Sequence, residues 1–366
     1  MSIEPFTALE RALTLCGLAP LALIGCVGSG QPELAASLPA PTYRVAAPVP
    51  PPPPPPPEVL APTPLVTGID AMVREFGGKV GVAIKSIDHG WMVAKNGDDP
   101  MPQQSVSKLW VTMTLLDQVD QGRVRLSDPI TVTRADLTLF HQPVASLLKN
   151  GVYETTVGDL MRRAMTMSDN TANDRLLRHV GGPAAVNAYI EKHNLGSIKF
   201  GPGERLLQSR TAGLDWKQDM AMGRAFQQAR AALPPGVRRA AFNAYVADPI
   251  DGASAGAIAN ALTRLKRGEL LSRASTAHLI ATMESSRTGR ARLRATVPAG
   301  WRLGHKTGTG QDLSGRTAGF NDVGILTAPD GKSYAIAVLI GDTSRPVPAR
   351  QELMQAVVAS VVANHR

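Results

Sequence analysis

The sequence predicts an α/β protein of the α+β type, with a five-stranded antiparallel sheet flanked by helices and an all-helical lobe inserted into it. Three observations carry this expectation. Strand patterns occur before residue 95 and again after residue 300, helical patterns fill the interval, and a last helical segment closes the chain. Strands supplied by two distant segments pair into one sheet, and the helices between them pack as a second lobe. A ligand site would lie between the lobes.

The elements follow in order. Lys79 to Ile87 alternates apolar and polar residues, Asp88-His89-Gly90 supplies turn chemistry, and Trp91 to Ala94 returns. That reads as a β-hairpin, so a sheet edge is expected to begin the domain. Helical periodicity then runs from Ser105 to roughly Ile280, strongest over Lys108–Gln121, Val157–Met167, Thr171–His179, Pro183–His193 and Ala255–Arg267. Strands resume with Trp301–His305, Gly319–Thr327 and Tyr334–Gly341, the last two joined by Pro329-Asp330-Gly331. Pro348 to Asn364 is expected to be the closing helix.

Residues ahead of this unit have a different character. Leu13 to Gly25 is an apolar run of signal-peptide length, too short and too Gly/Pro-interrupted for a membrane span. Residues 1–26 are therefore expected to be an export signal. Leu23-Ile24-Gly25-Cys26 resembles a lipoprotein processing site, which would make Cys26 a lipidated residue and the membrane a partner only through that anchor. From Val27 to Pro64 the chain is rich in Pro and Ala, with uninterrupted proline from Pro50 to Pro57. Such a run favours polyproline II at ~3.1 Å per residue and reads as a stiff spacer. The folded domain is expected over 65–366, in an exported, periplasmic protein.

Composition excludes several classes. In 366 residues, 43% hydrophobic content supports a proper core, and 39 Lys+Arg against 30 Asp+Glu give a formal charge of +9. The cations are scattered rather than gathered in a stripe with aromatics, so no nucleic-acid partner is expected. Both cysteines, Cys16 and Cys26, lie near the amino terminus, which removes disulfides and thiolate chemistry from the folded part. The histidines show no metal-ligand spacing and read as surface or helix-end residues. Neither a metal nor a cofactor is expected.

The chemistry rests on three short motifs. Ser105-Val106-Ser107-Lys108 places a hydroxyl and an amine at i and i+3 on one face of a helix start, within reach of each other. A lysine that near can draw the serine proton, and helix N–H groups favour an oxyanion. Alone this is also the pattern of an N-cap serine before a solvated lysine. Ser168-Asp169-Asn170 sits between two helical segments, where it offers either a pair of caps or a hydroxyl and an amide to a cleft. Lys306-Thr307-Gly308-Thr309-Gly310 ends a strand, where the lysine could attract a carboxylate and the glycines let a ligand lie along the strand edge.

Together, in this order and in these contexts, the motifs resemble those of class A β-lactamases and penicillin-binding proteins. The resemblance extends to Thr171-Ala172-Asn173-Asp174, Gly181-Gly182-Pro183 and Val297 to Trp301. It implies that Ser105 is acylated, that Lys108 is a candidate base, and that Ser168 relays a proton to the leaving nitrogen. It also implies that Asn170 holds a substrate amide, that Lys306 and Thr307 bind a carboxylate, and that Ser105 and Thr309 supply oxyanion-hole N–H groups. Glu204-Arg205-Leu206-Leu207-Gln208 stands where class A members carry the deacylation motif, making Glu204 the candidate base and Gln208 its partner in holding water.

Two departures stand out. Pro202 replaces the arginine that in the family clamps this loop to a later aspartate, and a long, partly helical stretch from Leu214 to Ala247 precedes Asp248-Pro249-Ile250-Asp251-Gly252. A longer and more mobile loop is expected, and Arg316 is a candidate second carboxylate contact. The expected activity is β-lactam hydrolysis by a monomer acting on a small-molecule β-lactam. The alternative is a D,D-carboxypeptidase or peptidoglycan acyl-transfer enzyme acting on a D-Ala-D-Ala peptide, and a non-catalytic cell-wall binder comes third.

Overall fold

The computed structural model describes residues 59–366. The expected signal segment, Cys26 and the proline run Pro50 to Pro57 lie outside the described residues.

The first element is a helix, α1 (Thr63–Phe76), not a strand. It begins just ahead of the expected domain start at Leu65. Pro64 at its first turn needs no hydrogen-bond partner, and Leu65, Ile69, Val73 and Phe76 form its buried stripe. The hairpin follows as β1 (Lys79–Ser86) and β2 (Met92–Lys95). The other sheet strands are β3 (Arg302–Thr309), β4 (Phe320–Thr327) and β5 (Ser333–Asp342). The sheet order is β2-β1-β5-β4-β3, antiparallel throughout, so β5 is central and β3 is an edge.

Alternate residues of the strands feed two cores. On one face Val80, Val82, Ile84, Ile336, Val338 and Ile340 pack with α1 and α11 (Val347–Ala363). On the other, Ala83, Val323, Ile325, Ala335, Ala337 and Leu339 join the core of the helical lobe. That lobe is built around α2 (Lys108–Asp120), in which every residue from Lys108 to Leu116 is buried. Around it lie α3 (Val157–Thr166), α4 (Asn170–His179), α5 (Gly182–Lys192) and α6 (Glu204–Thr211). The remaining helices are α7 (Ala225–Ala232), α8 (Pro235–Ala247), α9 (Ala255–Lys266) and α10 (Arg273–Glu284).

The middle of the chain is not wholly helical. Pro129–Thr133 and Val152–Thr156 form an antiparallel hairpin, with Ile130 and Val132 alternating inward. A two-residue pairing of Met101–Pro102 with Gly252–Ala253 ties the segment before Ser105 to the end of the long loop.

Candidate active site

Ser105 lies in a 3₁₀ turn, Gln104–Ser107, that runs directly into α2. The residue before it is bent: Gln104 has φ 54°, a left-handed conformation that costs a non-glycine residue energy and needs outside support. Support comes from Asp251, whose Oδ2 accepts from the Gln104 N–H at 2.8 Å. Lys108 opens α2 with a fully buried side chain. Its Nζ donates to Ser105 Oγ at 2.6 Å, Asn170 Oδ1 at 2.7 Å and Glu204 Oε1 at 2.6 Å. Three acceptors meet the three protons of an ammonium group.

The Ser168-Asp169-Asn170 turn divides its tasks. Asp169 is the cap: its carboxylate accepts from the N–H of Ala172 at 2.9 Å and of Val144 at 2.6 Å, and burial raises its pKa. Ser168, at φ 59°, is thereby turned into the cleft, where its Oγ accepts from Lys306 Nζ at 2.9 Å. Asn170 donates through Nδ2 to Leu139 O at 2.8 Å while its Oδ1 receives Lys108. One hydrogen and one lone pair of that amide remain for a ligand.

Glu204 stands on the first turn of α6, buried, with Gln208 one turn along on the same face. Pro202 provides no clamp to Asp251, and the start of the loop is held from α4 instead. Asp174 on α4 accepts from the Glu204 N–H at 3.0 Å and the Arg205 N–H at 3.4 Å. Burial and the neighbouring Glu204 charge push Asp174 up to about 6. Asp251, left without an arginine by Pro202, takes the Tyr245 hydroxyl at 2.9 Å instead, and burial pushes it up to about 7. The long insertion is packed down at two places. Leu207, Phe242, Tyr245, Val246 and Ala318 form one small core, and Leu139, Ala212, Met220 and Phe226 form another.

Strand β3 runs farther than expected, carrying the whole Lys306 motif to Thr309 along the cleft. Lys306 is fully buried, and burial together with the Lys108 cation drives its pKa well below the ordinary lysine value. Thr307 Oγ1 lies 2.9 Å from Thr288 Oγ1. The Gly310 N–H donates to Gly319 O, just ahead of β4. By the alternation of an antiparallel ladder, the Thr309 N–H then points away from β4, toward the open edge. Gly308 has a packing reason the sequence did not reveal: a Cβ there would lie 2.3 Å from the carbonyl oxygen of Gln103. The glycine lets the edge strand touch the backbone leading to Ser105.

Two expectations need correction, and two residues were missed. Arg316 does not reach the cleft; its guanidinium pairs with Asp342 at 2.7 Å and stacks over Phe242. The arginine that lines the cleft beside the Lys306 motif is Arg292, which donates to Thr309 Oγ1 at 2.6 Å, to Asn321 O at 2.7 Å and to Gly308 O at 3.0 Å, with Phe320 beneath it at 3.8 Å. Burial lowers it to about 10. His305 is neither at the surface nor at a helix end; it is fully enclosed in β3, with Nδ1 2.8 Å from Asp322 Oδ1. Sequence reasoning also passed over Gln311, whose Nε2 donates to Gln208 Oε1 at 3.0 Å.

These groups surround one cleft of about 540 Å³, lined by Ser105, Ser168, Asn170, Glu204, Gln208, Arg292, Thr307 and Thr309. Phe140, in a left-handed conformation at φ 61°, stands at its rim. Among the described residues no cluster of His, Cys, Asp or Glu could hold a metal ion. No helix among them is long and apolar enough to cross a membrane.

The sequence model of the β-lactamase enzyme family matches residues 64–365. The chain belongs to that family. Among its β-lactamase relatives, the extended-spectrum enzyme PER-1 of Pseudomonas aeruginosa is 28% identical, over 83% of this chain and 87% of its own length. CTX-M-25 of Escherichia coli is 27% identical over 80% and 86%. Among solved structures, a β-lactamase from Chitinophaga pinensis superposes with TM-score 0.68 at 26% identity, covering 82% of this chain and 99% of its own. An ancestral class A β-lactamase gives 0.64 at 29% identity, over 82% and 99%. The chain is thus a class A-like serine β-lactamase, with the mixed sheet-and-helix fold of that class.

Proposed function

We propose that this β-lactamase opens the β-lactam ring through an acyl-Ser105 intermediate and releases it with Glu204-activated water. The observation that carries the reading is the position of Lys108 Nζ, 2.6 Å from both Ser105 Oγ and Glu204 Oε1. One buried amine therefore links the nucleophile to a carboxylate base. A proton passed from Lys108 to Glu204 leaves a neutral amine facing Ser105, which can then take the hydroxyl proton as Oγ attacks the ring carbonyl. The oxyanion would be met by the N–H groups of Ser105 and Thr309, and the leaving nitrogen protonated by Ser168 with Lys306 behind it. Asn170 would hold the side-chain amide, while Thr307, Thr309 and Lys306, with Arg292, would hold the carboxylate.

Deacylation then needs a water between Glu204, Asn170 and the ester, steadied by Gln208. The test is turnover of a chromogenic cephalosporin with protein mass followed in parallel. The unmodified protein should turn over, and Glu204→Ala should accumulate an adduct on Ser105. A stoichiometric burst in the unmodified protein, with D-alanine released from a pentapeptide, would replace this reading with D,D-carboxypeptidase action.

We further propose that residues 1–26 direct export to the periplasm, that Cys26 carries lipid, and that residues 27–64 act as a spacer. Labelling with a fatty-acid analogue, lost in Cys26→Ala, is the expected result; undiminished labelling of that variant removes the anchor from this site.

A further inference from the structure

The insertion between Gln208 and Asp251 brings one polar side chain to the catalytic centre. Tyr245, on α8, is buried, and its hydroxyl has two partners. It donates to Asp251 Oδ1 at 2.9 Å and accepts from Gln104 Nε2 at 2.6 Å. Gln104 in turn accepts through Oε1 from Gln208 Nε2 at 2.9 Å, and the same Nε2 donates to Glu204 Oε2 at 3.3 Å. Five side chains thus form one chain of hydrogen bonds with a carboxylate at each end. With both carboxylates ionised each end only accepts, and the sense of every amide between them is set.

The orientation matters at Gln208. Its Nε2 has two protons, and both are assigned, one to Gln104 and one to Glu204. Its Oε1 faces Gln311 Nε2. Glu204 is consequently steadied on both oxygens, by Lys108 on one and by Gln208 on the other. If the Tyr245 hydroxyl is absent, Gln104 Nε2 keeps only a long contact to Ala318 O at 3.4 Å, and nothing fixes which way its amide faces. A reversed Gln104 amide would present a donor to Gln208 Nε2, forcing that side chain away from Glu204.

We propose that Tyr245 is a positioning residue for deacylation, fixing Gln104 and through it the Gln208 amide that holds Glu204. The insertion therefore does more than lengthen the loop: it supplies the partner that Asp251 lacks beside Pro202 and extends it to the base. This rests on the assignment of Glu204 as the deacylation base.

The experiment compares Tyr245→Phe, which removes only the hydroxyl, with the full-length unmodified protein on a chromogenic cephalosporin. Slower deacylation lowers kcat and KM together and leaves kcat/KM, which reports acylation, nearly unchanged, because Lys108 still holds the Glu204 Oε1 to which its proton passes. The expected fall in each is about tenfold, the effect of one buried hydrogen bond. Acyl-Ser105 should accumulate in quenched samples read by mass spectrometry. Gln104→Met, which breaks the same chain while leaving the Tyr245–Asp251 bond in place, should give the same split and serves if Tyr245→Phe is poorly folded. Combined with Gln208→Ala, Tyr245→Phe should add almost nothing to the deacylation defect, because both act on one path. Unchanged constants in Tyr245→Phe and Gln104→Met overturn the proposal. So does a fall in kcat/KM that matches the fall in kcat, or additivity with Gln208→Ala. Glu204→Ala run alongside separates the levels. If it traps the adduct while Tyr245→Phe turns over normally, the positioning role alone fails; if it turns over normally, the assignment of the base fails.

Discussion

Replacing Asp251 by asparagine tests the buried network through its proton. The carboxylate is fully enclosed and is pushed from 3.8 to about 7 by burial. Between those values the folded protein keeps a proton that the unfolded chain has released. The stability this contributes is therefore fully present below pH 3.8 and is lost as pH rises through about 7. At about 1.4 kcal/mol per pH unit, the loss is at most about 4 kcal/mol. Donation from the Gln104 N–H and the Tyr245 hydroxyl favours the carboxylate, so the value of about 7 is what burial leaves after these bonds have opposed it. Urea unfolding followed by tryptophan fluorescence from about pH 5 to about pH 8 covers about two of those pH units and so reads at most about 3 kcal/mol of it. The unmodified protein should lose stability across this range relative to Asp251→Asn, and the gap between the two curves should close or reverse sign by a few kcal/mol, consistent with a linkage of about this size. Asp174, raised to about 6, titrates in the same direction in both proteins and cancels in the difference. Curves that stay parallel over the whole range would refute the assignment of the raised group to Asp251.

Two further perturbations address the cleft and the insertion. Arg292→Ala removes the cation at Thr309 and should raise KM for anionic β-lactams about 10- to 100-fold, the worth of a charged hydrogen bond, with a smaller change in kcat; steady-state kinetics decide it. Arg292→Lys should recover only part, because one ammonium cannot reach Thr309, Asn321 O and Gly308 O from a planar fork. Phe242→Ala empties the small core under α8 and should cost about 3–5 kcal/mol by urea unfolding.

The three motifs were legible because each depends on local spacing: Ser105 and Lys108 share a helix face, and Ser168 and Asn170 share a turn. The five main strands were legible for the same reason. Helix α1 was missed although Leu65, Ile69, Val73 and Phe76 carry its period, because Pro62 and Pro64 make its start look like the end of the proline-rich segment. The hairpin Pro129–Thr133 with Val152–Thr156 was missed because two short strands sit inside a long helical stretch. Tyr245 and Arg292 were not legible at all. Their partners lie far off in the chain, Tyr245 meeting Gln104 across 141 positions, and no periodicity encodes a meeting of that kind. The expectation placed on Arg316, with Arg292 passed over, illustrates the same limit. Both are arginines near the Lys306 motif, and only the fold turns Arg316 toward Asp342 and Arg292 toward Thr309.

The order of the sheet has a consequence for how the chain is made. Its middle strand, β5, is the last strand synthesised, and β1 finds its main partner there, with Val80 opposite Ile340. Until that stretch exists, β1 and β2 are an isolated hairpin, which water does not sustain, and α1 has no α11 to pack beside. Helices of the lobe can form early, yet the face they turn toward the sheet stays uncovered. Closure is thus postponed to the end of synthesis, when the two segments that share the sheet first exist together.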